Sequence, residues 1–319
     1  MAKIPPAWFL FFFAPLTVEY VSGSSPYLNP FVHVANLLLY GAGTILIREA
    51  RVRWRKGWLA VFILSLAYMI AEEGLMLNTL FDPTKNNAGR LIGVNWVWTS
   101  GMLVVHSLMS IFAPILFVEA AYHEKADEPW VTPRTIWVLL VLFAANIFGL
   151  GRLIAPLNRP GVLVYAMEFA LIAACIFVAR IGPGPAIPAK EAIAVRSPRW
   201  LFMGALIGFL ITMATGLAAP SLPIPAAARI FIMLTVYALF LVFLRRIHAF
   251  DHDFDPLSRY AVAAGMISSF IAASPLISLG KQNPGPIICG VVAAIILVRV
   301  RARIIHGASC PGRPPTAGL

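Results

Sequence analysis

Apolar runs of membrane-spanning length recur ten times along the chain, near 7–22, 31–47, 57–81, 97–122, 136–156, 160–180, 200–219, 227–246, 259–279 and 285–304. A hydrocarbon core of about 30 Å takes roughly 20 residues of helix at about 1.5 Å each. A segment inside that core must also satisfy its own backbone hydrogen bonds. The expected fold class is therefore all-α, a polytopic transmembrane helix bundle of about ten spans seated in the cell membrane as a multi-pass protein. Composition agrees, with 60% hydrophobic and 12% charged residues in 319 and a mean hydropathy of +0.82, well outside soluble averages. Only the first run invites a second reading, as a signal peptide, because it is short, holds Pro15 and Glu19, and leads into VSGSS. A single Lys3 ahead of it and an acid within it argue for a helix that stays.

Positive charge near a span is retained on the cytoplasmic side. With the N-terminus inside, alternation over ten spans places nineteen of the 25 Lys and Arg residues in cytoplasmic segments and six opposite. Both termini are thus expected in the cytoplasm. The formal charge of +11 is absorbed by these loops and needs no nucleic acid. The expected partners are the lipid bilayer itself and anionic lipids at the basic loops. The densest basic run, REARVRWRKGW, reads as a juxtamembrane patch touching head groups.

The chain divides into a six-helix block over 1–180, a cytoplasmic Pro/Gly-rich loop over 181–199 (IGPGPAIPAKEAIAVRSP), a four-helix block over 200–306 and a disordered tail over 307–319. In the second block Gly204, Gly208, Thr212 and Gly216 recur every four residues, a small-residue stripe suited to close helix approach. Cys175, Cys289 and Cys310 form no pair at redox or metal spacing. The loop HAFDHDFDP gathers His248, Asp251, His252, Asp253 and Asp255 but lacks the glycine and distal glutamate of a calcium loop, so it reads as a solvated turn.

Ionisable residues deep in a membrane are costly unless paired, and so mark function. At about 1.5 Å per residue, Glu72 and Glu73 on the third run lie roughly 13 Å below the outer surface, His106 on the fourth roughly 13 Å, and Glu168 on the sixth roughly 12 Å. Four ionisable groups on three helices thus share one level. Glu19 and His33 sit nearer the outer surface with Asn36 below them, and Asn78 lies about a turn above the glutamates. Two carboxylates this close in low dielectric call for a shared proton or a bound cation. His106, with Ser110 one turn on, can take that proton or share a metal such as zinc with Glu73. Glu49 and Glu119, near the cytoplasmic ends, are expected to pair with Arg48, Arg51 or Arg53.

Adjacent glutamates in one membrane helix (EEGLML), followed by a histidine in the next (MLVVH), resemble the CAAX-protease and bacteriocin-processing family of intramembrane proteases. That family's pattern is EExxxR, then FxxxH, then an HxxxN-like motif. Here Leu77 stands at the arginine, Met102 at the phenylalanine, and no later helix carries the third motif, since HVAN at His33 precedes the others. The resemblance covers about a fifth of the chain. It implies a hydrolase acting on a protein or peptide substrate, with Glu72 or Glu73 activating water and His106 binding metal or stabilising the oxyanion. The strings IREARVRWRKGW, AEEGLMLNTLFDP, GVNW and HSLMSIFAPILFVE also look like a group of uncharacterised prokaryotic membrane proteins. A proton- or cation-coupled transporter and a non-catalytic scaffold are the other readings of the same residues.

Overall fold

The computed structural model describes residues 4–26, 28–82, 89–154, 160–182, 197–218, 224–247 and 255–308. Ten helices carry the chain: α1 over 6–20, α2 Pro30–Arg53, α3 Trp58–Met76, α4 Trp96–Ala121, α5 Pro133–Leu153, α6 Val162–Ile181, α7 Pro198–Ala218, α8 Ala226–Arg246, α9 Pro256–Lys281 and α10 Gly285–Ala308. Eight of them, α2 to α9, are long and apolar enough to cross a membrane. A two-residue hairpin, β1 Arg90–Leu91 against β2 Val94–Asn95, leads into α4. Most of the 181–199 loop, residues 248–254 of the acidic turn, and 309–319 of the tail fall outside the described residues.

The helix starts follow local chemistry. Asn29, Asn95, Thr132 and Asp255 cap α2, α4, α5 and α9 by accepting from the backbone N–H of the second or third helical residue. Three of these helices also open on proline, whose missing N–H costs nothing there. Asp255 is thus the cap that the acidic turn supplies to α9.

α4 forms the axis. Every residue from Ile111 to Val118 is apolar and buried, as expected of a helix hydrophobic all round. Phe117 stacks on Phe13 of α1 at 4.5 Å and packs near Tyr260 of α9. α6 and α8 are the opposite case, with 17% of their apolar windows buried and the rest left to lipid. α7 packs along α9, where Gly265 meets the α7 backbone at the Phe202 carbonyl. The small-residue stripe on α7 serves differently: Gly204 and Gly208 receive the rings of Phe243 and Phe240 of α8 rather than another backbone. The described chain ends meet at one end of the bundle, since Tyr122 donates to the Ile4 carbonyl and its ring lies under Arg303.

The basic run departs from expectation. α2 extends to Arg53, six residues past the predicted end, and Arg48 and Arg51 are buried. Their side chains are held inside the protein. Arg48 donates to Glu119 (3.2 Å), Glu49 (2.9 Å) and the backbone carbonyls of Lys125, Ala126 and Glu128, with its guanidinium 3.7 Å from the Trp130 ring centroid. Arg51 pairs with Glu119, and Arg53 with Glu49 at 3.0 Å. A buried charge is tolerated only when paired and hydrogen-bonded, and this network meets that condition while tying the 122–131 segment to α2. Glu49 and Glu119 thus have the basic partners expected of them.

Candidate functional site

The buried polar groups lie where helices change pitch. Residues Leu16–Tyr20, Leu37–Gly41, Ile70–Met76, His106–Phe112 and Asn146–Leu150 are π-helical. Their i→i+5 bonds include Leu77 N–H to the Glu72 carbonyl at 2.8 Å. π-helix makes up well under 1% of ordinary proteins and concentrates at functional sites. Here the five segments carry Glu19, Tyr40, the Glu72–Glu73 pair, His106 with Ser110, and Asn146.

In α3 the wider turn separates Glu72 and Glu73 by less than the 100° of an α-helix, and the two straddle the His106 ring. Nδ1 of His106 lies 3.2 Å from Glu72 Oε2 and 3.0 Å from Ser110 Oγ. Nε2 lies 3.2 Å from Glu73 Oε1. All three side chains are buried, at 2%, 5% and 3% exposure for Glu72, Glu73 and His106. One oxygen or nitrogen from each lies within 4.8 Å of the others, a grouping that could hold a metal ion. A carboxylate–carboxylate–imidazole set suits zinc and other borderline divalent metals.

Each member is oriented by a further group. Asn78 takes the left-handed conformation (φ 55°) and ends α3, turning the chain so that Thr79 donates to Glu73 Oε2. Trp98 Nε1 reaches the same oxygen at 3.3 Å. Tyr40 donates to Glu72 Oε1 and lies 2.7 Å from Glu19 Oε1. A phenol has one proton to give, so it serves one carboxylate at a time. Glu19 Oε2 accepts from Ser25 at 2.6 Å, and Ser25 accepts from Asn36 at 2.9 Å. Hydrogen bonds therefore link Glu73 to His106 and, on the other side, Glu72 to Tyr40, which also reaches Glu19, half-buried near the end of α1; the two sets meet where His106 Nδ1 lies 3.2 Å from Glu72 Oε2. The rings of Tyr40 and Tyr68 flank the imidazole, with centroids 6.4 and 6.0 Å away.

The other predicted residues separate. Ser110 joins the site and Glu19 reaches it through Tyr40. Asn78 shapes the turn and accepts from Tyr165 at 3.0 Å. His33 bonds Tyr20 at 2.7 Å, one helix pair away. Glu168 shares the level but is not in the metal-ligating group: its carboxyl rests on Gly74, and neither oxygen has a hydrogen-bond partner among the described residues.

Tyr40, Thr79 and Trp98 were absent from the sequence reading. Tyr40 could have been found, because ten residues into α2 it lies roughly 15 Å deep, close to the level of His106.

A family model matches residues 9–308, a stretch that takes in the cluster and nearly all of the ten helices. The chain belongs to an uncharacterized membrane protein family. The model is not that of the CAAX-protease and bacteriocin-processing family. The family is one of membrane proteins by description, in accord with the eight helices long and apolar enough to cross a membrane. No curated protein and no solved structure matches the chain.

Proposed function

We propose that the chain is a hydrolase built into the membrane, in which Glu73 and His106 hold a divalent cation such as zinc and Glu72 acts as general base. The observation that carries this reading is the convergence of Glu72, Glu73 and His106 within 4.8 Å, each oriented by a separate donor or ring. Such outer partners are what fix ligand geometry in metal sites. A bound cation of this kind supplies Lewis acidity and a more acidic water. The protein's own part is to exclude bulk water and to accept a proton at Glu72 Oε2, which lies 3.2 Å from His106 Nδ1 and accepts no hydrogen bond among the described residues. In hydrolysis of an amide, the hydroxyl of water adds to the acyl carbon, the C–N bond breaks, and the proton passes to the leaving amine. The resemblance of EEGLML and MLVVH to intramembrane proteases supports a protein or peptide substrate.

A carrier needs a polar path across the membrane. Toward the basic end α4 is apolar from Ile111 to Val118. Thr44 and Ser65 spend their hydroxyls on their own helices. Both features favour a site reached from one side. The test compares new protein termini, read by mass spectrometry, in membranes of cells expressing the native chain, Glu73→Gln or His106→Ala. Products present only with the native chain are expected. The same products from both variants, folded and at equal abundance, would overturn the reading.

A further inference from the structure

α5 and α6 touch near the end of the bundle away from the basic surface, where the rings of Phe148 and Phe169 stack 5.9 Å apart. Toward the basic end they part, α5 lying on α2 and α6 on α3. The gap is an apolar groove of about 380 Å³, floored by Gly43, Ala50 and Ala67 and walled by Leu140, Phe143 and Ile176. That volume falls in the range of roughly 300–1,000 Å³ of pockets that hold a small molecule. The small floor residues create the slot, and the surface it presents is almost wholly apolar, so it offers water little to bond to.

A groove of this kind on a lipid-facing surface fills with hydrocarbon. Filling alone confers no preference, because lipid tails are as apolar as the groove. Selection must come from its mouth. Arg53 and Trp54 line that end, with Arg55 next in the chain, Arg134 in the first turn of α5 and Arg180 in the last turn of α6, all three exposed. Lys56 donates to the Gly182 carbonyl and holds the α2–α3 turn against the end of α6. The acid that lines the groove, Glu49, is buried and taken by Arg48 and Arg53. Trp137, 69% exposed beside the groove residue Ile136, suits the head-group level, where tryptophan concentrates.

We propose that this groove is a specific lipid site, which takes one acyl chain of an anionic phospholipid and sets its phosphate against Arg55, Arg134 and Arg180. The site is separate from the glutamate–histidine cluster and stands whether or not that cluster is catalytic.

The test uses the full chain in phosphatidylcholine nanodiscs carrying either spin-labelled phosphatidylglycerol or spin-labelled phosphatidylcholine, and reads the motionally restricted fraction by electron spin resonance. Phosphatidylglycerol should be restricted preferentially, by about fivefold per engaged cation. Arg55→Gln, Arg134→Gln and Arg180→Gln together should erase that preference while leaving the protein folded, since all three side chains are exposed. Leu140→Trp, which fills the groove from its half-open wall, should remove the preferential component with the arginines intact. Soluble glycerol phosphate should not compete. Equal restriction of the two lipids by the native chain, a preference that survives both sets of substitutions, or displacement by glycerol phosphate would overturn the proposal.

Discussion

Tyr40→Phe removes one oxygen and nothing else, because the phenylalanine ring fills the same buried space. The lost hydroxyl is the donor to Glu72 Oε1 and the bridge to Glu19 Oε1 at 2.7 Å. Glu72 is 2% exposed, so water does not replace the donor. Glu19 is half-buried and keeps Ser25 on its other oxygen, so its loss is largely made good. Hydrogen bonds to charged groups contribute roughly 1.5–3 kcal/mol, and a buried polar group left unsatisfied costs roughly 1–3 kcal/mol. The expected destabilisation is about 2–3 kcal/mol, carried almost wholly by Glu72. Reversible unfolding in detergent would measure it for the native chain, Tyr40→Phe, Glu72→Gln and the double variant, with a coupling of at least ~1 kcal/mol between the two sites. A Tyr40→Phe protein within ~0.5 kcal/mol of the native chain, or two substitutions that simply add, would refute the claim that this phenol orients Glu72.

Arg48→Ala should cost roughly 3 kcal/mol or more, because Glu119 and Glu49 each lose one of two basic partners in the interior and the carbonyls of Lys125, Ala126 and Glu128 lose a charged donor, read as loss of the monodisperse peak in size-exclusion chromatography. Arg48→Lys should fail to restore it, since one ammonium cannot reach two carboxylates and three carbonyls at once. Gly265→Ala should destabilise by ~1–3 kcal/mol, because its new methyl would press on the rigid Phe202 carbonyl of α7. Gly74→Ala should cost less in the same unfolding assay, because it displaces only the Glu168 carboxyl, which forfeits no hydrogen bond by moving.

Much of the fold was open to a reading of hydropathy, because a membrane forces every span to be a long apolar run. The end of α2 was not. Arg48, Glu49 and Arg51 look like loop residues to a hydropathy profile, yet they continue the helix because Glu119 and the 125–128 carbonyls satisfy them. Depth put Glu72, Glu73 and His106 on one level. Depth fixes one coordinate and leaves the direction around the helix open, which is why Glu168 shared the level of the cluster and yet faces Gly74. The π-helical turns that aim Glu72 and Glu73 at His106 leave no trace in composition, since they alter the hydrogen-bond register and not the residues. Tyr40, Thr79 and Trp98 escaped notice because their side chains carry no formal charge.

The most direct test of the site is its metal content. The native chain, loaded with zinc, desalted and analysed by inductively coupled plasma mass spectrometry, should retain about one ion per chain. Glu73→Gln and His106→Ala should retain none, and Glu168→Gln should match the native chain. A native chain that retains no divalent metal after loading, or variants that hold it equally well, would contradict the assignment of Glu73 and His106 as ligands.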